Sequence, residues 1–182
     1  LAIWGEHCHS DKAIIEDLKK IISKEIKMFK KNPCKQYLFQ VLFVPGLFGG
    51  LEHSYSSTNI FDGTRLSNSK DYNRFLSLLA HEHFHLWNVK RIRPVEIGPP
   101  FDYTKELYTR ELWMVEGITS YYDDHFVMRA GIYSKQDYLT LISENITRLE
   151  NTKATKVNSL SDSSFDTWIR FYSCLLYTSD AA

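Results

Sequence analysis

The sequence predicts an α+β domain that is mostly helical, and three observations support this fold class. Apolar residues recur with the spacing of a helix in four separate stretches. Two further stretches, residues 36–44 and 51–55, have the composition or alternation of strands. The length of 182 residues, with 43% hydrophobic side chains, suits one globular domain of ordinary size.

The strand-like stretches differ in character. Residues 1–5 could form the end of a strand. Residues 36–44 are apolar enough for a buried central strand, and they follow Asn32 and Pro33, which stop the helix before them. Residues 51–55 alternate in polarity and follow two glycines, which suits the edge of a sheet.

Caps and breakers set the limits of the four predicted helices. Either Ser10 or Asp11 caps the first, and residues 71–87 form the second. The third runs from Glu106 to about Arg129 and closes at Gly131. Ser134 begins an approximate capping box for a fourth helix that extends through Leu149. Residues 95–102 contain Gly-Pro-Pro and are predicted to be a loop.

Charge and composition exclude several classes of function. The chain has 22 basic and 22 acidic residues, so it lacks the positive field that holds nucleic acid or an acidic membrane. No apolar stretch approaches the roughly 20 residues that span a bilayer. The three cysteines have no metal-ligand spacing and indicate no disulfide framework. We expect a soluble protein that is cytoplasmic, periplasmic or secreted, and the sequence does not indicate its oligomeric state.

Both ends of the chain look unnatural. The sequence starts at Leu1 without a methionine or a targeting leader, and residues 174–182 resemble translated sequencing adapter. We therefore expect residues 1–173 to be one catalytic domain, truncated at both ends, and residues 174–182 to be a non-native tail.

One motif in the second predicted helix carries chemistry. His81, Glu82 and His85 form an H-E-x-x-H pattern. Residues four apart lie on one helix face, so both imidazoles can bind a single metal ion. Glu82 lies about 100° around the helix, where it can reach a metal-bound water without being a ligand. His83 points away from this pair and is predicted to take no part.

A catalytic zinc site usually has three protein ligands, so a third ligand is required. The best candidate is Glu116, a carboxylate among apolar neighbours on the third predicted helix. Taken alone, a helix glutamate is more often a surface residue. Thr119 and Asp123 follow on the same face and could orient the ligands from behind, although acidic pairs such as Asp123 and Asp124 are usually solvated.

Three segments resemble metallopeptidase family 61, the glycyl aminopeptidase family. They are residues 49–53 (Gly-Gly-Leu-Glu-His), 81–94 (His-Glu-His-Phe-His-Leu-Trp-Asn-Val-Lys-Arg-Ile-Arg-Pro) and 112–122 (Leu-Trp-Met-Val-Glu-Gly-Ile-Thr-Ser-Tyr-Tyr). The resemblance covers almost all of residues 1–173, and the second segment is its most specific part.

The resemblance implies a thermolysin-like catalytic domain of the gluzincin type, with a small mixed sheet and the metal-binding helix beneath its edge. It also implies one zinc ion bound by His81, His85 and Glu116, with Glu82 as general base and acid. Lys90, Arg91 and Arg93 belong to the signature. We favour ion pairs that fix the turn after the helix over substrate contact as their role.

The first segment is similar to the exopeptidase motif of related aminopeptidases. There, glycines such as Gly49 and Gly50 let a substrate backbone approach as an added strand. By the same analogy Glu52 would bind the free α-amino group of the peptide. The alternative for Glu52 is an exposed strand carboxylate.

The chain departs from the family pattern in two ways. Full-length relatives carry an N-terminal β domain and often a PDZ domain, and neither is visible here. Family sequences also continue past the segment that resembles residues 164–172 into a Tyr-Tyr-x-x-Gly stretch, where a tyrosine would stabilise the oxyanion. That residue is expected beyond residue 173, so this fragment can hold zinc and still be inactive.

These inferences predict a zinc-dependent aminopeptidase that removes small N-terminal residues, Gly or Ala, from peptides by Glu-assisted attack of zinc-bound water. The preference for small residues is implied by the resemblance alone. Two alternatives remain open: an endopeptidase of the same fold, in which Glu52 is structural, and a non-catalytic zinc-stabilised fragment or peptide-binding scaffold. The physiological peptide is not indicated.

Overall fold

Five helices and four strands make up the computed structural model, which describes residues 1–167 and 169. The strands are β1 (Ala2–Trp4), β2 (Leu38–Phe43), β3 (Gly49–Glu52) and β4 (Ser56–Phe61). The helices are α1 (Asp11–Phe29), α2 (Ser69–Phe84), α3 (Ile118–Arg129), α4 (Lys135–Asn151) and α5 (Leu160–Asp166). The predicted tail at 174–182 and the oxyanion-stabilising residue expected beyond 173 lie outside the described residues.

The strands form one mixed sheet in the order β1-β2-β4-β3. Strand β2 pairs in parallel with both β1 and β4, so the prediction of a buried central strand is confirmed. Strand β3 pairs antiparallel with β4 alone and occupies the edge of the sheet, as predicted, although it begins at Gly49 rather than at residue 51. This edge lies against α2, where Gly50 of β3 approaches the Glu82 side chain.

Strand β4 was not predicted from the sequence, because its residues are largely polar. Its inward positions include Ser57 and Asn59, and both side chains are fully buried. The Asn59 amide nitrogen donates to the Gln40 carbonyl and to the Ser57 hydroxyl, each at 3.0 Å. These hydrogen bonds satisfy the amide donor inside the sheet, where a lost partner would cost about 1–3 kcal/mol.

Helix α1 begins at a predicted capping residue, whereas α2 begins earlier than predicted. The Ser10 hydroxyl accepts a hydrogen bond from the Ala13 amide and begins α1, which buries Ile14, Leu18 and Ile21. The Asn68 side chain caps α2, which therefore starts two residues before the predicted Asp71 and ends at Phe84. Helix α2 packs against α1, α3 and the β3–β4 half of the sheet. The core around α2 thus fixes its C-terminal turn relative to the sheet edge.

The predicted start of the third helix is wrong. Residues 106–111 are not helical, and the helical segment begins at Leu112 rather than at Glu106. The Thr109 hydroxyl accepts a hydrogen bond from the Glu111 amide, and the Glu111 carbonyl in turn accepts from the amides of Met114 and Val115. These local hydrogen bonds begin the helix at this point, so the residues upstream of Thr109 do not join it. The first helical turn, Trp113–Gly117, is a π-helix that continues directly into α3.

The capping box at α4 is confirmed, since Ser134 and Asp137 exchange side-chain and backbone hydrogen bonds. Helix α4 packs mainly against α3, and Ile146 and Leu149 beyond this contact are more than half exposed. No helix within the described residues is long and apolar enough to cross a membrane.

Candidate metal centre

The two histidines of the H-E-x-x-H motif converge at the C-terminal end of α2. The His81 and His85 rings are nearly perpendicular, with centroids 4.6 Å apart. His85 is buried and His81 is nearly so. One turn of helix therefore brings two imidazoles together in a largely desolvated place.

The Glu116 carboxylate completes the group. Its Oε2 atom lies 3.2 Å from His81 Nε2 and 3.5 Å from His85 Nε2. The three candidate ligand atoms all lie within 4.8 Å of one another. The structure thus brings the three predicted ligands together, although they come from α2 and from the π-helical turn before α3.

The other nitrogen of each histidine ring has a partner that fixes the ring. His81 Nδ1 is 2.9 Å from Asp123 Oδ2, and His85 Nδ1 is 2.7 Å from the Asn88 carbonyl oxygen. A carbonyl oxygen can only accept, so His85 Nδ1 must donate, and its Nε2 carries the lone pair in the neutral ring. Such partners set the tautomer and orientation of metal-binding histidines. Both Nε2 atoms face Glu116, and such a set of donor atoms can bind a divalent cation.

Asn88 also supports the π-helical turn that carries Glu116. Its side-chain nitrogen lies 3.3 Å from the Met114 carbonyl, 3.0 Å from the Val115 carbonyl and 3.1 Å from Thr119 Oγ1. The Thr119 hydroxyl donates in turn to the Val115 carbonyl at 2.6 Å. A π turn is rare and tends to occur at functional sites. Asn88 therefore links the backbone near Glu116 to the ring of His85.

The carboxylates of Asp123 and Glu116 stabilise positive charge at the histidines. Burial disfavours the charged form of His81, but Asp123 and Glu116 on its two nitrogens raise its pKa to about 10. Burial would raise the pKa of Glu116, but hydrogen bonds from His81 and His85 lower it to about 2. Glu116 is consequently ionised at neutral pH. Two imidazole nitrogens and one carboxylate oxygen form a donor set that suits zinc.

Glu82 lies beside these ligands and is almost fully buried, with 4% exposure. Burial raises the pKa of its carboxyl to about 7, against the opposing effect of His81 and His85. Its Oε2 atom has no hydrogen-bond partner among the described residues. A carboxylate that is buried, unpartnered and half-ionised near neutral pH has the properties of a general base.

Gly50 on β3 makes the space that Glu82 occupies. A Cβ atom at position 50 would lie 2.0 Å from Glu82 Oε1 and 2.7 Å from its Cγ. A Cβ at Gly49 would meet no atom within 4 Å. Contacts within the protein therefore require a glycine at position 50 but not at position 49.

Glu52 ends the same strand and has a cation of the protein as its partner. Lys90 Nζ donates to Glu52 Oε1 at 2.9 Å, and both side chains are about one-quarter exposed. A Glu52 oxygen also lies within 4.8 Å of ligand atoms of Glu82 and His85. The ion pair predicted for the signature is thus found at Lys90. Arg91 and Arg93 instead donate to the backbone carbonyls of Leu86 and Lys90.

His83 is directed away from this group, as expected, into the interface of α1 and α2. Its Nδ1 pairs with the Glu25 carboxylate, which is fully buried. Sequence reasoning did not assign Glu25 or Asn88. The only sequence signal for Asn88 was its place inside the 81–94 signature. The only signal for Glu25 was a charged residue on the apolar side of α1.

Comparisons with known proteins show which proteins this chain resembles. The structure is similar to the crystal structure of an aminopeptidase N family protein from Idiomarina loihiensis, with a TM-score of 0.86 and 35% sequence identity. The alignment covers 93% of this chain and 30% of that chain, so this chain spans less than one-third of the relative's length. No curated protein matches the sequence. The family model described as M61 glycyl aminopeptidase matches residues 74–180, more than half of the chain and all three candidate metal ligands, so the chain belongs to the M61 peptidase family.

Proposed function

We propose that this chain is the catalytic part of a zinc-dependent aminopeptidase with a thermolysin-like fold. The observation that carries the proposal is the convergence of His81, His85 and Glu116 beside the buried carboxylate of Glu82. The chain belongs to a peptidase family. Two imidazole nitrogens and a carboxylate oxygen support zinc as the metal.

His81, His85 and Glu116 would hold the ion. The chemistry that zinc supplies when bound is polarisation of the scissile carbonyl and acidification of a water molecule, whose pKa can fall to about 7. Asp123 and the Asn88 carbonyl keep the two imidazoles in the orientation that this requires.

Glu82 would move the proton. Its carboxylate accepts a proton from the attacking water, whose oxygen forms the new bond to the carbonyl carbon. The same proton then passes to the amide nitrogen as the carbon–nitrogen bond breaks, and the amine leaves neutral. A pKa of about 7 suits both steps, because the group must be a base first and an acid afterwards.

Glu52 and strand β3 would make the enzyme an exopeptidase. A peptide added along the free edge of β3 would run past Glu82, and Glu52 at the strand end would accept a hydrogen bond from its α-ammonium group. Only the first peptide bond could then reach Glu82. The name of the family supports a preference for N-terminal Gly. We extend this preference to Ala, the next smallest residue.

The experiment that tests the proposal compares Glu82→Gln with the unaltered protein, both in the natural chain continued past residue 173, where the oxyanion-stabilising residue is expected. The zinc content of each purified protein is measured by atomic absorption, and cleavage of Ala- and Gly-initiated peptides is followed by chromatography. We expect one zinc ion per chain in both proteins and a rate about 10²–10⁴-fold lower in the variant. Glu150→Gln, an exposed change on α4, is the matched control. Activity of Glu82→Gln within tenfold of native would refute the assigned base.

One observation favours a second function, an endopeptidase of the same fold. Glu52 already has Lys90 as a counter-ion, as a purely structural carboxylate would. Acetylation of the peptide N-terminus distinguishes the two enzymes, since it removes the ammonium group. Loss of cleavage supports the aminopeptidase, and unchanged cleavage supports the endopeptidase. Zinc binding without cleavage of either peptide would support the non-catalytic scaffold.

A further inference from the structure

The ion pair between Lys90 and Glu52 occupies the carboxylate that is proposed to bind the substrate's amino group. Lys90 follows α2 in the chain, whereas Glu52 ends the edge strand, and a 2.9 Å contact joins them. Glu52 also lies within 4.8 Å of ligand atoms of Glu82 and His85. The ammonium of Lys90 is therefore bound to the carboxylate that the proposed function assigns to the substrate's ammonium.

Two primary ammonium groups would compete for this carboxylate. Lys90 Nζ and a peptide α-ammonium are both compact cations with three donors, so they suit the same acceptor oxygens. Like charges this close repel each other, and the repulsion grows when one of them is partly shielded from water. Each side chain of the pair is about one-quarter exposed, which leaves Lys90 room to withdraw toward solvent.

We propose that Lys90 is a specificity-determining residue, an internal competitor that weakens the hold of Glu52 on α-ammonium groups and so speeds release of the amino acid product. This inference rests on the proposed function. An aminopeptidase releases a free amino acid whose ammonium group also suits Glu52. Lys90 would return to the carboxylate as this product leaves. The cost is weaker binding of every peptide with a free N-terminus.

The test measures binding separately from turnover. All proteins carry Glu82→Gln, so that nothing is cleaved, and all are loaded with zinc. Titration calorimetry measures their Kd for alaninamide and for N-acetylalaninamide. Position 90 is either unchanged or carries Lys90→Met, Lys90→Gln or Lys90→Arg. We expect both neutral variants to bind alaninamide about fivefold more tightly, because a partly exposed ion pair no longer competes. Binding of the acetylated compound should not change, and Lys90→Arg should bind alaninamide as Lys90 does.

Turnover supplies a second readout. With Glu82 intact, Lys90→Met should lower the KM for an Ala-initiated peptide and strengthen product inhibition by alanine by a similar factor. Alaninamide binding that is unchanged or weaker in both neutral variants would overturn the inference, as would an equal change for the acetylated compound.

Glu52→Gln separates this result from the proposed function. If Glu52→Gln removes the preference for alaninamide over its acetylated form, amine capture by Glu52 stands whatever Lys90 does. If that preference survives in Glu52→Gln, amine capture fails, and the inference about Lys90 fails with it.

Discussion

At the scale of single residues, the site depends on Gly50, whose lack of a side chain leaves room for Glu82. Gly50→Ala would place a Cβ 2.0 Å from Glu82 Oε1, so the Glu82 carboxylate must move. The clash is with the end of a flexible side chain, so we expect the fold and the zinc content to be retained. If Glu82 is the general base proposed above, which would contribute about 10²–10⁴-fold, its displacement should lower kcat by about 10²-fold or more.

The comparison for this prediction is Gly49→Ala, whose added Cβ meets nothing within 4 Å. Peptide hydrolysis and bound zinc are measured for both variants. The loss of peptide hydrolysis in Gly50→Ala should exceed the loss in Gly49→Ala. Equal losses would mean that the glycines serve the approach of substrate rather than the position of Glu82.

Asn88 joins the two halves of the candidate metal site. Its side chain holds the turn near Glu116, and its backbone carbonyl holds His85. Removing such a partner typically lowers metal affinity 10–100-fold, so we expect a loss of about that size in Asn88→Ala. The zinc Kd is measured by competition with a chromogenic chelator. Asn88→Asp, which keeps the size but not the donors, should behave alike, and the exposed Asn145→Ala should bind zinc normally. Native affinity in Asn88→Ala would contradict this role.

At the scale of elements, a buried ionic contact sets how α2 lies against α1. Glu25 and His83 are both almost inaccessible to solvent, and their side chains pair directly. Burial raises the pKa of the Glu25 carboxyl, and His83 is the main group that opposes this. Removing one partner of a buried pair typically costs about 3–5 kcal/mol. Since neutral imidazole is cheaper to bury than a carboxylate, His83→Leu should cost more than Glu25→Leu.

The His83→Leu variant should also become less stable as the pH rises. Without its partner, Glu25 has a folded-state pKa further above its unfolded value near 4.5, so the folded state binds more protons. Stability is then fully present below pH 4.5 and falls by about 1.4 kcal/mol per pH unit above it, until the folded-state pKa is reached. Urea unfolding of His83→Leu and of Glu25→Leu/His83→Leu from pH 4.5 to 7 measures this. The double variant should lack the slope, and a flat profile for His83→Leu would refute the account.

The elements also show what the sequence could predict. Helical periodicity and caps located four helices, because their signals lie within a few neighbouring residues. Strand β4 was missed because its buried Ser57 and Asn59 are satisfied by hydrogen bonds across the sheet, which no local pattern contains. The start of the third helix was misplaced because the Thr109 cap resembles ordinary helical sequence.

At the scale of the whole molecule, the convergence of His81, His85 and Glu116 was predictable but its surroundings were not. The H-E-x-x-H spacing indicates two ligands on one face, and the apolar context of Glu116 indicates a third. The contacts of Asn88, Lys90 and Gly50 each join segments that are 26 or more residues apart in the chain. Such partners depend on how α2, α3 and the sheet edge pack together, and a single sequence does not record that packing.

Metal binding should therefore stabilise the whole domain, because its ligands come from two segments that fold together. A ligand that binds only the folded state adds about 2.7 kcal/mol at 100 times its Kd. For a chain of 182 residues this corresponds to a rise in Tm of about 5–10 °C. Scanning calorimetry of protein stripped with a chelator, then loaded with zinc, measures the shift. Glu116→Gln should show a much smaller shift, because the carboxylate that Glu116 offers at 3.2 Å and 3.5 Å from the imidazoles is lost. An equal shift in Glu116→Gln would mean that zinc stabilises the chain from elsewhere.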